Sequence, residues 1–385
     1  MFIINAKIRT MEAQDFESGF VRFIEGKITQ LGEMSQLQLI AGEEVLDAEG
    51  ATLYPGFIDA HCHLGMWEDG LGFEGDDGNE ETDPTTPHLR AIDAVNPMDR
   101  CFSEAAHAGV TTVLTGPGSA NPMGGQWTAI KTSGRRIDDM VVLETAGMKF
   151  ALGENPKTTY HEKNQSPNTR MATAAIIREQ LRKASRYLDD LERASEDVEL
   201  DEPEYDSKCE ALIPVLKREQ KVYIHCHRAD DIFTAIRIGK EFDLDYVLVH
   251  CTEGWMVADL LKEEGVPAIC GPILCDRSKP ELRNLNTAGP AVLAGEGIEI
   301  ALCTDHPVIP IQYLPLCAGI AVGAGLSHDA ALRSITINAA RIAGLEDRVG
   351  SIAVGKDADL VLFREDPFLP YSKPEKVFIL GQEIR

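Results

Sequence analysis

Through the middle of the chain, short runs of apolar and β-branched residues alternate with longer stretches whose apolar positions recur every three or four residues. That rhythm predicts repeated strand–helix units around a parallel sheet. The candidate strands are Leu53–Ala60, Thr111–Thr115, Met140–Glu144, Met148–Leu152, Val222–His225, Tyr246–His250, Pro267–Cys270 and Ile298–Thr304. Eight of them invite closure into a barrel, and no short period suggests a solenoid or propeller. Met171–Glu199 has the composition of a solvated surface helix ending in an acidic cluster.

Both ends of the chain read as short strands separated by polar turns: Phe2–Ile8, Phe20–Ile24 and Lys27–Gln30 at one end, Asp359–Phe363 and Lys376–Gln382 at the other. Neither end is long enough to fold alone. Together they predict a small β-sandwich domain from residues 1–55 and 346–385, flanking an α/β domain, a (β/α)8 TIM barrel, over 56–345.

Two segments break the rhythm. Met66–Leu89 carries eight acids, four glycines and two prolines but no lysine or arginine, so it reads as a mobile lid or a solvated insertion. Pro307–Leu326 is uncharged, yet Pro307, Pro310, Pro315 and Gln312 predict a buried loop and a barrel helix rather than a membrane span.

At 385 residues the chain has room for a barrel of roughly 250 residues and a smaller unit. Its 44% apolar and 26% charged residues exclude wholesale disorder, collagen and coiled coil. Sixty-two acidic against 37 basic side chains give a formal charge of -25, which repels phosphate backbones and anionic lipid, so neither nucleic acid nor membrane is expected as a partner. Nine cysteines form an odd set with no Cys-x-x-Cys pair, which argues against a disulfide framework or a cysteine zinc site and for a reducing cytoplasm. The first residues lack the basic and long apolar regions of a secretory signal.

The strongest chemical signal is Gly56-Phe57-Ile58-Asp59-Ala60-His61-Cys62-His63. Alternation along a strand points His61 and His63 to one face, where both imidazoles can reach one cation. Val222-Tyr223-Ile224-His225-Cys226-His227 repeats that spacing, Val247-Leu248-Val249-His250 ends the next strand, and Ile300–His306 closes another with Asp305. Five candidate ligands at strand ends coincide with the place where barrel enzymes keep their sites.

With these residues in view, the chain resembles the metal-dependent amidohydrolase superfamily. It has His-x-His after the first barrel strand, histidines after the fifth and sixth, and Asp after the eighth. Pro55-Gly56-Phe57-Ile58-Asp59 opens the barrel, and Val349–Val361 returns to the small β domain in the same manner. The likeness spans nearly the whole chain and is nearest to the imidazolonepropionase-like and prolidase-like branch. It implies a first metal on His61 and His63, a second on His225 and His250, and Asp305 as both ligand and general base. Members with two metals usually bridge them with a carbamylated lysine, others with a glutamate. Met148–Lys157 offers both. Glu154, just past the strand end, is favoured because a carboxylate is an ordinary oxygen ligand, whereas the alternative, Lys149, must first lose its charge.

His227 lies one step further out than His225, where it can touch substrate or help hold an oxyanion; the plainer reading is a rim histidine paired with Asp230 or Asp231. Arg228 can clamp a substrate carboxylate or pair locally with Asp231. Gly116–Gln126 is glycine-rich but lacks the Gly-Lys-Ser/Thr ending of a phosphate loop, and the resemblance implies a turn and hairpin near the pocket. Cys62, Cys226 and Cys251 flank the ligands and are expected to point the other way, into packing. The expected activity is hydrolysis of a C–N bond in an amide, cyclic amide or peptide. One or two divalent ions, zinc by ligand type, activate the water, and Asp305 takes its proton. The alternatives are a deaminase of a heterocyclic amine and a non-catalytic scaffold that has lost its metal. The expected partner is a small-molecule substrate, met by a monomer or homo-oligomer.

Overall fold

A computed structural model describes all 385 residues. The terminal strands are β1 (Phe2–Ile8), β2 (Phe16–Ile24), β3 (Lys27–Glu33), β4 (Val45–Asp47) and β5 (Thr52–Pro55). The middle of the chain supplies β6 (Phe57–Cys62), β7 (Val110–Thr115), β8 (Met123–Lys131), β9 (Val141–Ala151), β10 (Val222–Cys226), β11 (Tyr246–His250), β12 (Ala268–Cys270) and β13 (Ile300–Leu302). The C-terminal strands are β14 (Leu360–Phe363), β15 (Lys376–Ile379) and β16 (Gln382–Glu383).

Strands β6 to β13 form one eight-stranded sheet in sequence order. Its ends meet in a nearly closed barrel: the Asp305 amide donates to the His61 carbonyl at 3.2 Å and the His63 amide to the His306 carbonyl at 2.9 Å. The regular (β/α)8 expectation is corrected in one respect. Strand β8 runs antiparallel to both β7 and β9, so no helix crosses over between those three strands. The two candidate strands Met140–Glu144 and Met148–Leu152 are one continuous strand, β9, and the eighth place is filled by β8, which grows out of the glycine-rich stretch. Leu53–Ala60 is likewise two strands, divided at Gly56.

Alternation explains the two cores. Ile58, Leu114, Trp127, Tyr223, Val247, Val249, Ile269 and Ala301 fill the barrel interior together with Ala339, Ala340, Ile342 and Ala343 of the helix Ile337–Ala343. The intervening residues Phe57, Cys62, Val113, Ile224, Cys226 and Leu248 face the outer helices. Among these helices are α1 (Arg100–His107), α2 (Glu154–Glu162) and the long α3 (Arg170–Glu196), which fits the expected Met171–Glu199. The uncharged Pro307–Leu326 holds the helix Leu314–Gly323. No helix is long and apolar enough to cross a membrane.

Strands from both ends of the chain hydrogen-bond into a second sheet, in the order β16-β15-β14-β5-β1-β2-β3 with β4 beside β1. Its strands form one connected hydrogen-bonded sheet, which carries its own apolar cluster, including Ile3, Ile8, Val21, Leu53, Leu360 and Phe378. A buried charge cluster fastens it to the barrel. Lys131, at the end of β8, pairs with Asp359 and lies 3.1 Å from Asp357, which also meets Lys27 at 2.7 Å and Arg348 at 3.1 Å.

Candidate metal centre

Each predicted ligand stands at the C-terminal end of a barrel strand. His61 and His63 leave β6 on one face while Cys62 turns outward, after a bulge in the β6–β7 pairing between Asp59 and Cys62. His225 and His227 leave β10 in the same way, with Cys226 outward. Asp305 shares the inward parity of Ala301 and Cys303, whereas strand parity alone would not bring His250 inward beside Val249. His250 and Asp305 adopt left-handed backbone, with φ of 70° and 55°, and so does Cys251 at 47°. Such residues cost of order 1–3 kcal/mol each and persist where the surroundings hold them, most often at functional sites.

The imidazoles share an orientation. His63 Nδ1 donates to the Gly116 carbonyl and His250 Nδ1 to the Gly271 carbonyl, each at 2.7 Å. His225 Nδ1 is held by Ser119 Oγ at 2.9 Å and His227 Nδ1 by Thr252 Oγ1 at 2.7 Å. Anchoring one ring nitrogen outside leaves the other, Nε2, as a free acceptor inside, which is how metal-binding histidines are commonly oriented. His61 is positioned differently, stacked on Trp127 with ring centroids 4.3 Å apart. Two convergent groups result: His61, His63 and Asp305, and His225, His227 and His250. Asp305 Oδ1 lies 3.4 Å from His61 Nε2 and 3.3 Å from His63 Nε2. These spacings exceed ordinary hydrogen bonds of 2.7–3.2 Å and match the ~3.3 Å edge of a tetrahedron with metal bonds of about 2.0–2.1 Å. The donor set and its spacing fit a divalent ion.

Lys149 lies between the groups, fully buried on β9, with Nζ 3.4 Å from His61 Nε2 and 5.1 Å from the Trp127 ring centre. Glu154 does not enter either group. As the first residue of α2 it turns sideways, and its Oε2 accepts the Glu281 amide at 3.1 Å while Glu281 Oε2 accepts the Glu154 amide at 3.0 Å. This reciprocal clasp needs Gly153, whose φ is 86° and whose added Cβ would meet Glu281 Oε2 at 2.9 Å. Arg228 forms a two-pronged pair with Asp230, at 2.9 and 2.8 Å, not with Asp231, which pairs with Arg170.

Three residues at the site escaped the sequence reading. Trp127 floors it beneath His61, and its strand was hidden by glycines. Glu281 sits in a short helical turn with no periodic signal. Asp59 was visible only as part of the Pro-Gly-Phe-Ile-Asp run, yet it braces the site: Oδ1 accepts the His61 amide, and Oδ2 accepts the Thr304 amide and hydroxyl, at 3.1 and 2.5 Å.

Electrostatically the site favours neutral imidazoles and an ionised Asp305. Burial pushes His61, His225 and His227 down, and His250 down to about 4. Burial alone would raise Asp305, but His250 and the hydrogen bonds from His61 and His63 outweigh it and hold the carboxyl well below its usual range. Burial also lowers Lys149 to about 7 and raises Asp59 to about 7. Cys62, Cys226 and Cys251 are buried away from the site, and burial pushes their thiols up, so they pack rather than react.

Above the ligands opens a cavity of about 430 Å³, reached by His63, His225, His250 and Asp305 and walled mainly by polar groups, among them Asn79, Glu81, Ser119, Asn155, Thr158 and Lys279. Neither His227 nor Arg228 lines it. The acidic segment contributes one wall. Trp67 meets the His63 ring edge-on at 4.8 Å, Gly78 and Asn79 bond Gly118 and Ala120, and Glu81 and Asp83 pair with Lys163 and Lys208. Its tip, with Phe73 at 94% exposure, projects into solvent.

This fold recurs in known proteins. An amidohydrolase from Thermotoga maritima is 41% identical and superposes with a TM-score of 0.95 over 100% of this chain and 99% of that one. The amidohydrolase tasK of Hapsidospora irregularis is 30% identical over 388 residues, covering 94% of this chain and 39% of that protein, so the chain spans well under half of that relative's length. An imidazolonepropionase of Phocaeicola vulgatus is 25% identical over 410 residues, covering 96% of this chain and 94% of its own. The profile of the Amidohydrolase family matches residues 52–384, a span that begins just before the His61 and His63 strand and takes in every candidate ligand described above: the chain belongs to the amidohydrolase family.

Proposed function

We propose that this protein is a metal-dependent hydrolase that cleaves a C–N bond of a small polar amide, cyclic amide or peptide. The observation that carries the reading is the ring of inward Nε2 atoms, four with their Nδ1 atoms anchored outside, facing Asp305 at the floor of a polar cavity. His61, His63 and Asp305 would hold one divalent ion, zinc by ligand type, and His225 and His250 a second. Lys149, rather than the Glu154 favoured from sequence, would bridge them as a carbamate, because its amine lies among the ligands while Glu154 is occupied with the Glu281 amide. What such an ion supplies is Lewis acidity, which polarises a carbonyl and lowers the pKa of water from about 15.7 towards about 7.

Asp305 is ionised and reaches the cavity, so it accepts the proton of the attacking water and returns it to the departing nitrogen. Asn79, Ser119, Asn155 and Thr158 orient the substrate through hydrogen bonds, and Trp67 limits its size on the His63 side. His227, beneath the cavity wall, acts on the ligand set and not on substrate.

The test combines metal analysis with a panel of acylated amino acids, cyclic amides and dipeptides. Hydrolysis should disappear on chelation and return with zinc, and His61→Ala and His250→Ala should each lower bound metal. Full metal content in both variants would refute the ligand assignment. Ammonia release from heterocyclic amines, without amide cleavage, would replace this reading by a deaminase.

A further inference from the structure

We infer that Glu281 and His227 complete the second metal centre, making it a three-histidine, one-carboxylate site of His225, His227, His250 and Glu281. The inference rests on the metal-dependent reading above and deepens it by adding two ligands to one ion.

The four residues come from different parts of the ring: β10, the end of β11, and the turn that follows β12. All are at least nine-tenths buried, with exposures of 2%, 2%, 3% and 1% in the order named. A carboxylate so deep needs cationic compensation, part of which Lys279 supplies. Glu281 Oε1 lies 3.6 Å from His225 Nε2 and 3.5 Å from His227 Nε2, again the spacing of neighbouring ligands rather than of a hydrogen bond. His225 Nε2 has no hydrogen-bond partner at all, although Ser119 fixes the ring so that this atom points inward. The rings of His227 and His250 are stacked at 4.5 Å and 6°, with Thr252 and Gly271 holding their outer nitrogens.

The carboxylate is locked for this purpose. Its other oxygen is taken by the Glu154 amide, and the Glu154 carboxylate holds the Glu281 amide in return, so Oε1 cannot swing away. Lys279 Nζ lies 2.7 Å from Oε1. A carboxylate oxygen has a second lone pair, so it can meet the lysine and an ion together, and Lys279 balances the negative charge without filling the space between the imidazoles.

The experiment measures metal per chain after exhaustive dialysis, and zinc affinity by competition with a chromophoric chelator, for wild type, Glu281→Gln, His227→Asn and His63→Ala. Glutamine preserves the size of Glu281 and the acceptor for the Glu154 amide. Each of the first two variants should keep one equivalent at wild-type affinity and bind the second at least about tenfold more weakly, since even outer partners of ligands cost 10–100-fold. His63→Ala should instead lose the other equivalent. Two equivalents at unchanged affinity in both Glu281→Gln and His227→Asn would overturn the inference while leaving the metal-dependent reading intact. A wild-type protein with no tight metal would overturn both.

Discussion

Replacing Lys149 by methionine, beside a Glu154→Gln control, separates the two candidate bridging groups. Lys149 is fully buried, its amine is 3.4 Å from His61 Nε2, and burial brings its pKa down from 10.5 to about 7. At pH 7 about half of such amines are neutral, against about one in three thousand for an unperturbed lysine. Only the neutral amine can take up CO2, so the site enriches the reactive form by roughly three orders of magnitude. A protonated lysine also has no lone pair to offer an ion, so only the neutral or carbamylated form of Lys149 can serve as a ligand. Lys149→Met should therefore lose at least one equivalent of metal and most of its activity, and Glu154→Gln should lose much less. Labelled bicarbonate should give a carbamate carbon signal in the wild type and none in Lys149→Met. If Lys149→Met kept its full metal, or if Glu154→Gln lost as much as Lys149→Met, the reasoning would be wrong.

Asp305→Asn should lower turnover by at least about 10² while the fold persists, and unchanged turnover would move the proton acceptor elsewhere. Removing only the exposed tip Leu71–Gly75 should leave metal content intact and change KM or turnover; wild-type kinetics would reduce the tip to a solvated insertion. Deleting the longer stretch to Thr86 should also cost stability, because Gly78, Asn79 and Asp83 are bonded to the barrel and the helical layer. Lys131→Met should cost about 3–5 kcal/mol by denaturant unfolding, the penalty of stranding a buried ionic partner, with no change in metal. Burial would raise the Asp357 carboxyl, but Lys131, Lys27 and Arg348 outweigh it and lower its pKa. That contribution is present above the unfolded value of about 3.9 and vanishes as pH falls through the folded one, so the gap between wild type and Asp357→Asn should narrow on acidification.

The placement of the strand-end histidines was more legible in the sequence than the scaffold around them. Tyr246–His250 is a strand with the expected bounds, and the histidine pairs lie on common faces because period-two alternation is a local property. Strand β8 was hidden because Gly124 and Gly125 lower strand propensity, and its place in the ring is set by hydrogen bonds to β7 and β9 rather than by its own composition. The break expected between Glu144 and Met148 fails for the same reason: pairing with β8 carries the backbone extended through Thr145–Gly147. Glu281 could not be singled out, since its partners Glu154, His225 and His227 are far away in sequence and no spacing rule links them. The inward turn of His250, off the parity of Val247 and Val249, is equally silent, because left-handed backbone at a non-glycine residue is imposed by its surroundings.

The seam between β6 and the residues after β13 has a consequence for biosynthesis. Asp59 and Thr304, the residues that clip it, are 245 positions apart, and Asp305 is placed by the same clip. A chain emerging from the ribosome exposes His61 and His63 long before the carboxylate that completes their group has been made. During that interval the two imidazoles belong to an open sheet and have little hold on an ion. On the proposed function, the chelating strength of this group would switch on only when the last barrel strand docks against the first. Nascent chains stalled before Thr304 should lack the equivalent of metal assigned to His61, His63 and Asp305, which makes uptake of that equivalent a report of ring closure.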